Sequence, residues 1–291
     1  MKLTVLIENK PAPGRPELAA EHGLSVLVET EAGRVLLDTG TTGAFAENAK
    51  KLGLDLSRLD GVVISHNHYD HIGGIRALLG CNHSAPIYLR REARRRYYRC
   101  VDGVYGYHGE PEGVFEEAPE RFVFLEEDTE ILPGVWVMHN QVQDESRYCR
   151  DRARFCRARE DGSGYEPDDF THEQFLCIRG KEGMTVLSSC SHNGIVNILE
   201  SVRRRFGEEP VCHVVGGFHM MAHRPDANGV PTECMNCPED FARQMAQYLR
   251  DRVSDGVYTC HCTGSVACAN LAQVLGDRIR YIPTGTVLEW E

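Results

Sequence analysis

The chain has 291 residues, 42% hydrophobic and 26% charged, with a formal net charge of −11 at pH 7. That acidic balance lacks the basic footprint of non-specific nucleic-acid binding. No apolar run reaches the roughly 20 residues that cross a bilayer.

In chain order, Leu3–Glu8, Leu24–Glu29 and Arg34–Asp38 alternate or run apolar over short lengths, as half-buried strands do. Thr42–Leu52 carries Phe45, Ala49 and Leu52 at helical spacing and stops at Gly53. Gly61–Ser65 reads as a strand, Ile72–Leu79 as a helix, Pro86–Leu89 as a strand and Arg91–Arg99 as a further helix. Strands follow at Phe122–Leu125, Val135–Met138, Phe175–Ile178 and Met184–Ser188, then a helix at Ile195–Phe206. The chain closes with Cys212–Val215, Val257–Cys260 and Arg280–Ile282 as strands, and Pro238–Arg252 and Ser265–Leu275 as helices. Residues 100–171 are rich in Gly, Glu, Arg and Tyr and weakly periodic, the pattern of an insertion covering an active site. No linker or internal repeat is visible, so residues 1–291 read as one α/β domain. Met1–Val5 runs into Glu8, Asn9 and Lys10 rather than a long apolar stretch, so a cytoplasmic location is expected. The twelve cysteines then read as reduced thiols or metal ligands.

The densest chemistry lies at His66-Asn67-His68-Tyr69-Asp70-His71, after the Gly61–Ser65 strand. Period-two alternation points His66 and His68 the same way, and Asp70 and His71 turn back at the start of a helix. Three imidazoles and a carboxylate make a mixed nitrogen and oxygen site for one or two divalent ions, zinc or iron(II) foremost and manganese as an alternative.

This motif resembles the signature of the metallo-β-lactamase superfamily. Further segments extend the resemblance along the chain: Glu21–Ser25, Leu36–Gly40, Ser189–Ile198, Gly216–His219 and His261–Gly264. Their order is similar to that of the branch named after dihydropterin-6-methyl-(ribofuranosyl)aminobenzene-5′-phosphate synthase. The resemblance implies a four-layer αββα sandwich with the metal site along one edge. It implies that His66 and His68 serve one metal and Asp70 and His71 a second. It also implies that Asp38 steers a ligand histidine, and that His261 is the closing ligand.

Two departures follow. The bridging aspartate of the family pattern is replaced by Ser189-Cys190-Ser191-His192, so Cys190 and His192 become ligand candidates, the sulfur favouring iron(II) or zinc. The usual mid-chain histidine is not evident; His139 and His172 are the candidates by position, with His192 as the substitute. His219, after Gly216-Gly217, is expected to serve substrate or proton transfer rather than metal. His22, in a loop before a strand, is a substrate-side candidate near the site mouth, with a surface role equally open. Cys234-x-x-Cys237 with Cys260, Cys262 and Cys268 reads more readily as thiols under a loop than as a structural metal site. The basic run Arg90–Arg99 reads more readily as a solvated face than as a phosphate site.

The expected function is a metal-dependent hydrolase acting on a small, phosphorylated or heteroaromatic molecule through metal-activated water, with Asp70 and His219 as the catalytic pair. A pterin-coupling transferase and a metal-binding redox or sensing protein are the alternatives. Partners are limited to a small-molecule substrate, with neither nucleic acid nor membrane, and the oligomeric state stays open.

Overall fold

The computed structural model describes residues 1–148 and 152–290; residues 149–151, inside the segment 100–171, lie outside that description. The chain forms two compact units. The first comprises residues 1–138, 153–174 and 283–291, and the second residues 139–152 and 175–282. Among the described residues no helix is long and apolar enough to cross a membrane.

The first unit is built on a seven-stranded mixed sheet. Its order is Val287–Glu289, Lys2–Ile7, Ser25–Thr30, Gly33–Leu37, Gly61–Val63, Ile87–Arg90 and Phe122–Leu125. The first four strands pair antiparallel, and pairing is parallel from Gly33–Leu37 onward. Parallel neighbours need crossovers, and the helices Ala44–Lys51 and Ile75–Cys81 lie in two of them. Phe45, Ala49, Ile75 and Leu78 from these helices meet Leu6, Leu27, Leu36, Val62 and Ile87 from the strands in one buried cluster. Each of these side chains larger than alanine contributes about 1.5–3 kcal/mol by leaving water. Asn48, on the buried helix face, is satisfied fully: its amide donates to Leu6 O at 2.8 Å and accepts from Ala19 N at 2.9 Å.

Within the segment 100–171 the structure has more order than its composition suggests. Tyr165–Pro167, Phe155–Ala158, Tyr97–Val101 and Val104–Tyr107 form a four-stranded antiparallel sheet. Thr129–Leu132 and Val135–His139 form a hairpin. The helix expected at Arg91–Arg99 is not formed. Arg91–Arg94 makes one 3-10 turn, and Tyr97–Val101 is a strand paired on both sides. β-Propensity of the Tyr97-Tyr98 pair prevails, with Tyr97 fully buried. The arginines meet acids at the surface: Arg91 meets Glu126, Arg95 meets Glu160 and Arg96 meets Glu112.

The second unit carries residues 175–179 of the strand Gln174–Arg179, with Met184–Ser188, Val211–Gly216, Val253–Thr259 and Ile279–Tyr281, as adjacent strands. The first pair is antiparallel and the rest are parallel. Helices Ile195–Phe206, Glu239–Arg252 and Gly264–Leu275 lie in the crossovers. Ligands in α/β sheets collect at the carboxyl ends of parallel strands. In both units the metal-competent side chains sit in that position.

Candidate metal centre

In the first unit, Asp38 follows the Gly33–Leu37 strand, and Ser65 and His66 follow Gly61–Val63. Asp38 is wholly buried and takes three hydrogen bonds. Its Oδ1 accepts from Ser65 N at 2.6 Å, and its Oδ2 accepts from Ser65 Oγ at 2.7 Å and His71 Nδ1 at 2.7 Å. The Ser65 hydroxyl has one proton, spent on Asp38, so it accepts from His66 Nδ1 at 2.8 Å. One carboxylate therefore sets both tautomers, keeping Nδ1 of His66 and His71 protonated and leaving Nε2 of each with its lone pair.

The rings crowd together. The His66 centroid lies 4.2 Å from that of His71 and 4.5 Å from that of His68, and His68 lies 4.7 Å from His108. Burial, reinforced by His71 and His68, pushes the pKa of His66 well below the ordinary histidine value; burial, then His108 and His172, does the same for His68. Neutral imidazole is the form that binds metal. Asp70 Oδ2 stands 3.6 Å from His71 Nε2 and 3.3 Å from His22 Nε2. Donor atoms of His68, Asp70 and His108 lie within 4.8 Å of one another.

The turn bearing His68 is held from outside by Asn67 and His172. Asn67 Nδ2 donates to Ala93 O at 2.7 Å and to Glu110 Oε2. Asn67 N donates to His172 Nδ1 at 3.0 Å, while His172 Nε2 meets Asp168 Oδ2 at 3.0 Å. The His172 ring stacks on Tyr97 at 3.9 Å. Both nitrogens of His172 are thus engaged by protein, which makes it a support for the His66–His68 turn.

In the second unit, three neighbouring parallel strands end in Ser189–His192, Phe218-His219 and His261-Cys262. The approach is close: a Cβ on Gly216 would lie 1.9 Å from Ser188 O, and one on Gly217 would lie 2.4 Å from Cys262 Sγ. Only glycine fits there. The His192 and His219 rings lie 4.3 Å apart, and donor atoms of Cys190, His261 and Cys262 lie within 4.8 Å of one another. His219 N donates to Cys262 Sγ at 3.3 Å, and Asn236 Nδ2 donates to His219 O at 2.9 Å. Asp38, Ser191, His219 and His261 all adopt left-handed backbone, with φ of 59°, 55°, 48° and 48°. Such strain in non-glycine residues clusters at functional sites.

His219 and Ser191 also line a pocket of about 660 Å³ within the second unit. Phe218, Met220, Phe241, Met245 and Tyr248 give it an apolar wall, and Arg147, Asn236 and Asp240 give it polar groups.

Both donor groups fit divalent metal: nitrogen and oxygen from His68, Asp70 and His108, and nitrogen and sulfur from Cys190, His261 and Cys262. His108 was not among the ligand candidates read from the sequence, and Cys262 was weighed there only with the other cysteines for a structural metal site. His108 arrives through the Tyr97–Tyr107 hairpin, whose pairing the sequence does not advertise. Cys262 adjoins a histidine on the next strand end, a neighbour that could have flagged it. His139 ends the Val135–His139 strand.

A model described as "Metallo-beta-lactamase superfamily" matches residues 19–140. The solved structure of Tm1679, described as a metal-dependent hydrolase of the β-lactamase superfamily, is 30% identical with a TM-score of 0.81, covering 100% of this chain and 99% of that one. A structure described as a diphosphatase of the PhnP family gives a TM-score of 0.52 at 16% identity, covering 100% and 98%, a likeness of fold alone. Among curated proteins, the 7,8-dihydropterin-6-methyl-4-(β-D-ribofuranosyl)-aminobenzene-5′-phosphate synthase of Methanocaldococcus jannaschii is 26% identical over 216 residues, 69% of this chain and 72% of that one. With full-length coverage at 30% identity and the metallo-β-lactamase fold, the chain belongs to the metallo-β-lactamase superfamily.

Proposed function

We propose that the chain is a metal-dependent hydrolase of a small molecule with a ring and an anionic group. The observation that carries this reading is the full-length similarity to a protein described as a metal-dependent hydrolase, in a chain that retains buried His, Asp and Cys donors. The ligands proposed are His66, His68, Asp70 and His71 in the first unit and Cys190, His192 and His261 in the second.

Divalent ions bound within either set of ligands would supply Lewis acidity and a water that ionises near neutral pH. The chain's own residues do the rest. Asp38 fixes the tautomers of His66 and His71 through the Ser65 relay. Asp70 takes part in proton handling as well as ligation. His219, at the edge of the pocket, moves a proton to or from the substrate. The apolar wall accepts a flat ring, and Arg147 meets a phosphate or carboxylate. The reaction is assigned to the cytoplasm.

A second reading, ring-coupling transfer, draws on the 26% identity to the methanogen synthase. The deciding experiment compares metal-stripped protein with protein reconstituted with zinc, iron(II) or manganese(II). Phosphodiesters, lactones and aryl phosphates are the substrates. Metal-dependent turnover of any of them supports hydrolysis. Inertness toward all of them, with tight binding of a reduced pterin, favours transfer.

A further inference from the structure

Cys262 has no part in the function proposed above, yet its sulfur shares a small volume with two proposed ligands. We propose that Cys262 is a metal ligand, and that with Cys190 and His261 it forms a thiolate-rich site for zinc or iron(II) in the second unit. The inference rests on Cys190 and His261 being ligands, and on nothing about the reaction.

Distance is the first argument. The three donor atoms lie within 4.8 Å of one another, and all three residues are buried. In the tetrahedral sphere that zinc adopts, metal bonds of about 2.0–2.3 Å put ligand atoms about 3.3–3.8 Å apart, so side-chain shifts of about 1 Å close the sphere. Local backbone is the second. Successive side chains in extended chain point to opposite faces. Here His261 has φ 48° and opens a 3-10 turn, His261–Thr263, which lets two consecutive side chains converge.

The sulfur is also accommodated specifically. Gly217 leaves the space it fills, since a Cβ there would stand 2.4 Å away. The His219 N–H aimed at Cys262 Sγ is the type of contact that tunes metal-bound thiolates. Ser189 O and Cys190 O lie 3.8 Å from the same sulfur, acceptors for its proton in the metal-free state. On binding, Cys190 and Cys262 each release that proton to solvent. Two sulfurs and one nitrogen favour zinc or iron(II) and disfavour manganese, magnesium and calcium.

Zinc-edge X-ray absorption on the zinc-reconstituted full chain tests this, because sulfur at about 2.3 Å is resolved from nitrogen or oxygen at about 2.0–2.2 Å. Two zinc–sulfur bonds per chain are expected in the parent, one in Cys262→Ser, one in Cys190→Ser and none in the double variant. Fewer than two in the parent overturns the inference, as does a Cys262→Ser protein that keeps two. If Cys262→Ser does not fold, the parent and Cys190→Ser still decide: the latter must retain one sulfur, and zero refutes it. Two sulfurs in a protein that hydrolyses nothing would leave this inference standing and defeat the hydrolase reading. Turnover with one sulfur or none would do the reverse.

Discussion

Replacing Asp38 by Asn is expected to disable metal binding without disturbing the backbone. Asparagine tolerates the left-handed conformation at this position, where φ is 59°, so the change is confined to the hydrogen bonds. The amide oxygen must stay with Ser65 N, a donor that has no other form. The amide nitrogen then faces Ser65 Oγ and His71 Nδ1, both of which now have to accept. His71 moves its proton to Nε2. Ser65, relieved of its bond to Asp38, turns its proton toward His66 Nδ1, and His66 changes tautomer as well. One substitution thereby removes two Nε2 lone pairs. Outer carboxylates that orient ligand histidines are typically worth about 10–100-fold in metal affinity, and the double inversion places Asp38→Asn at the upper end. Chelator competition on the reconstituted protein measures the affinity. Thermal unfolding of the metal-free form should show a smaller loss, about 1–3 kcal/mol for a buried polar group left imperfectly paired. An Asp38→Asn protein that binds zinc within about twofold of the parent, against the 10–100-fold expected of such partners, would refute the tautomer argument.

Four further outcomes are expected. His66→Ala and His68→Ala should each purify without metal and without activity; full metal content by elemental analysis in either removes it from the ligand set. His219→Ala should keep its metal and lose most turnover, whereas His261→Ala should lose metal, and a metal-poor His219→Ala would move His219 among the ligands. His172→Ala should retain metal stoichiometry but unfold more easily, by about 1–3 kcal/mol for each buried partner it abandons, namely Asn67 N and Asp168; urea titration measures this, and unchanged stability with lost metal would show that His172 is a ligand instead. Cys190→Asp should bind metal with preference shifted toward manganese(II), because oxygen replaces sulfur; identical relative affinities for zinc, iron(II) and manganese(II) would exclude Cys190 as a donor.

The sequence disclosed the parts of this molecule whose determinants are contiguous. His66, His68, Asp70 and His71 follow one another at a strand end, so their grouping could be read directly, and the 30% identical full-length relative bears out the family they suggested. Strands such as Met184–Ser188 announce themselves because both faces are buried and apolar residues run on. The four-stranded sheet escaped notice because Tyr97–Val101 pairs with Phe155–Ala158 across more than fifty residues, and no residue of Val104–Tyr107 is buried. Without a buried face there is no alternation to read. The basic run lies at the surface, as its reading as a solvated face expects, but as a turn and a strand rather than a helix, and Arg91, Arg95 and Arg96 meet Glu126, Glu160 and Glu112, partners visible only in three dimensions. Asp38 could be placed by the family resemblance of Leu36–Gly40, but its control of His66 runs through a serine hydroxyl that composition cannot single out.

The left-handed residues at the strand ends bear on how this protein would respond to directed evolution. Asp38, His219 and His261 each hold a backbone conformation that costs a non-glycine residue about 1–2 kcal/mol. Glycine would relieve that cost, less the entropy it adds to the unfolded chain. At Asp38 the three hydrogen bonds lost, and at His261 the cavity left, outweigh that relief, so a screen that rewards heat resistance alone should enrich glycine at partly buried His219 and yield robust, chemically silent variants. Stabilisation of this scaffold calls for a screen that reads turnover at every round, or for a library in which the His219 codon is locked.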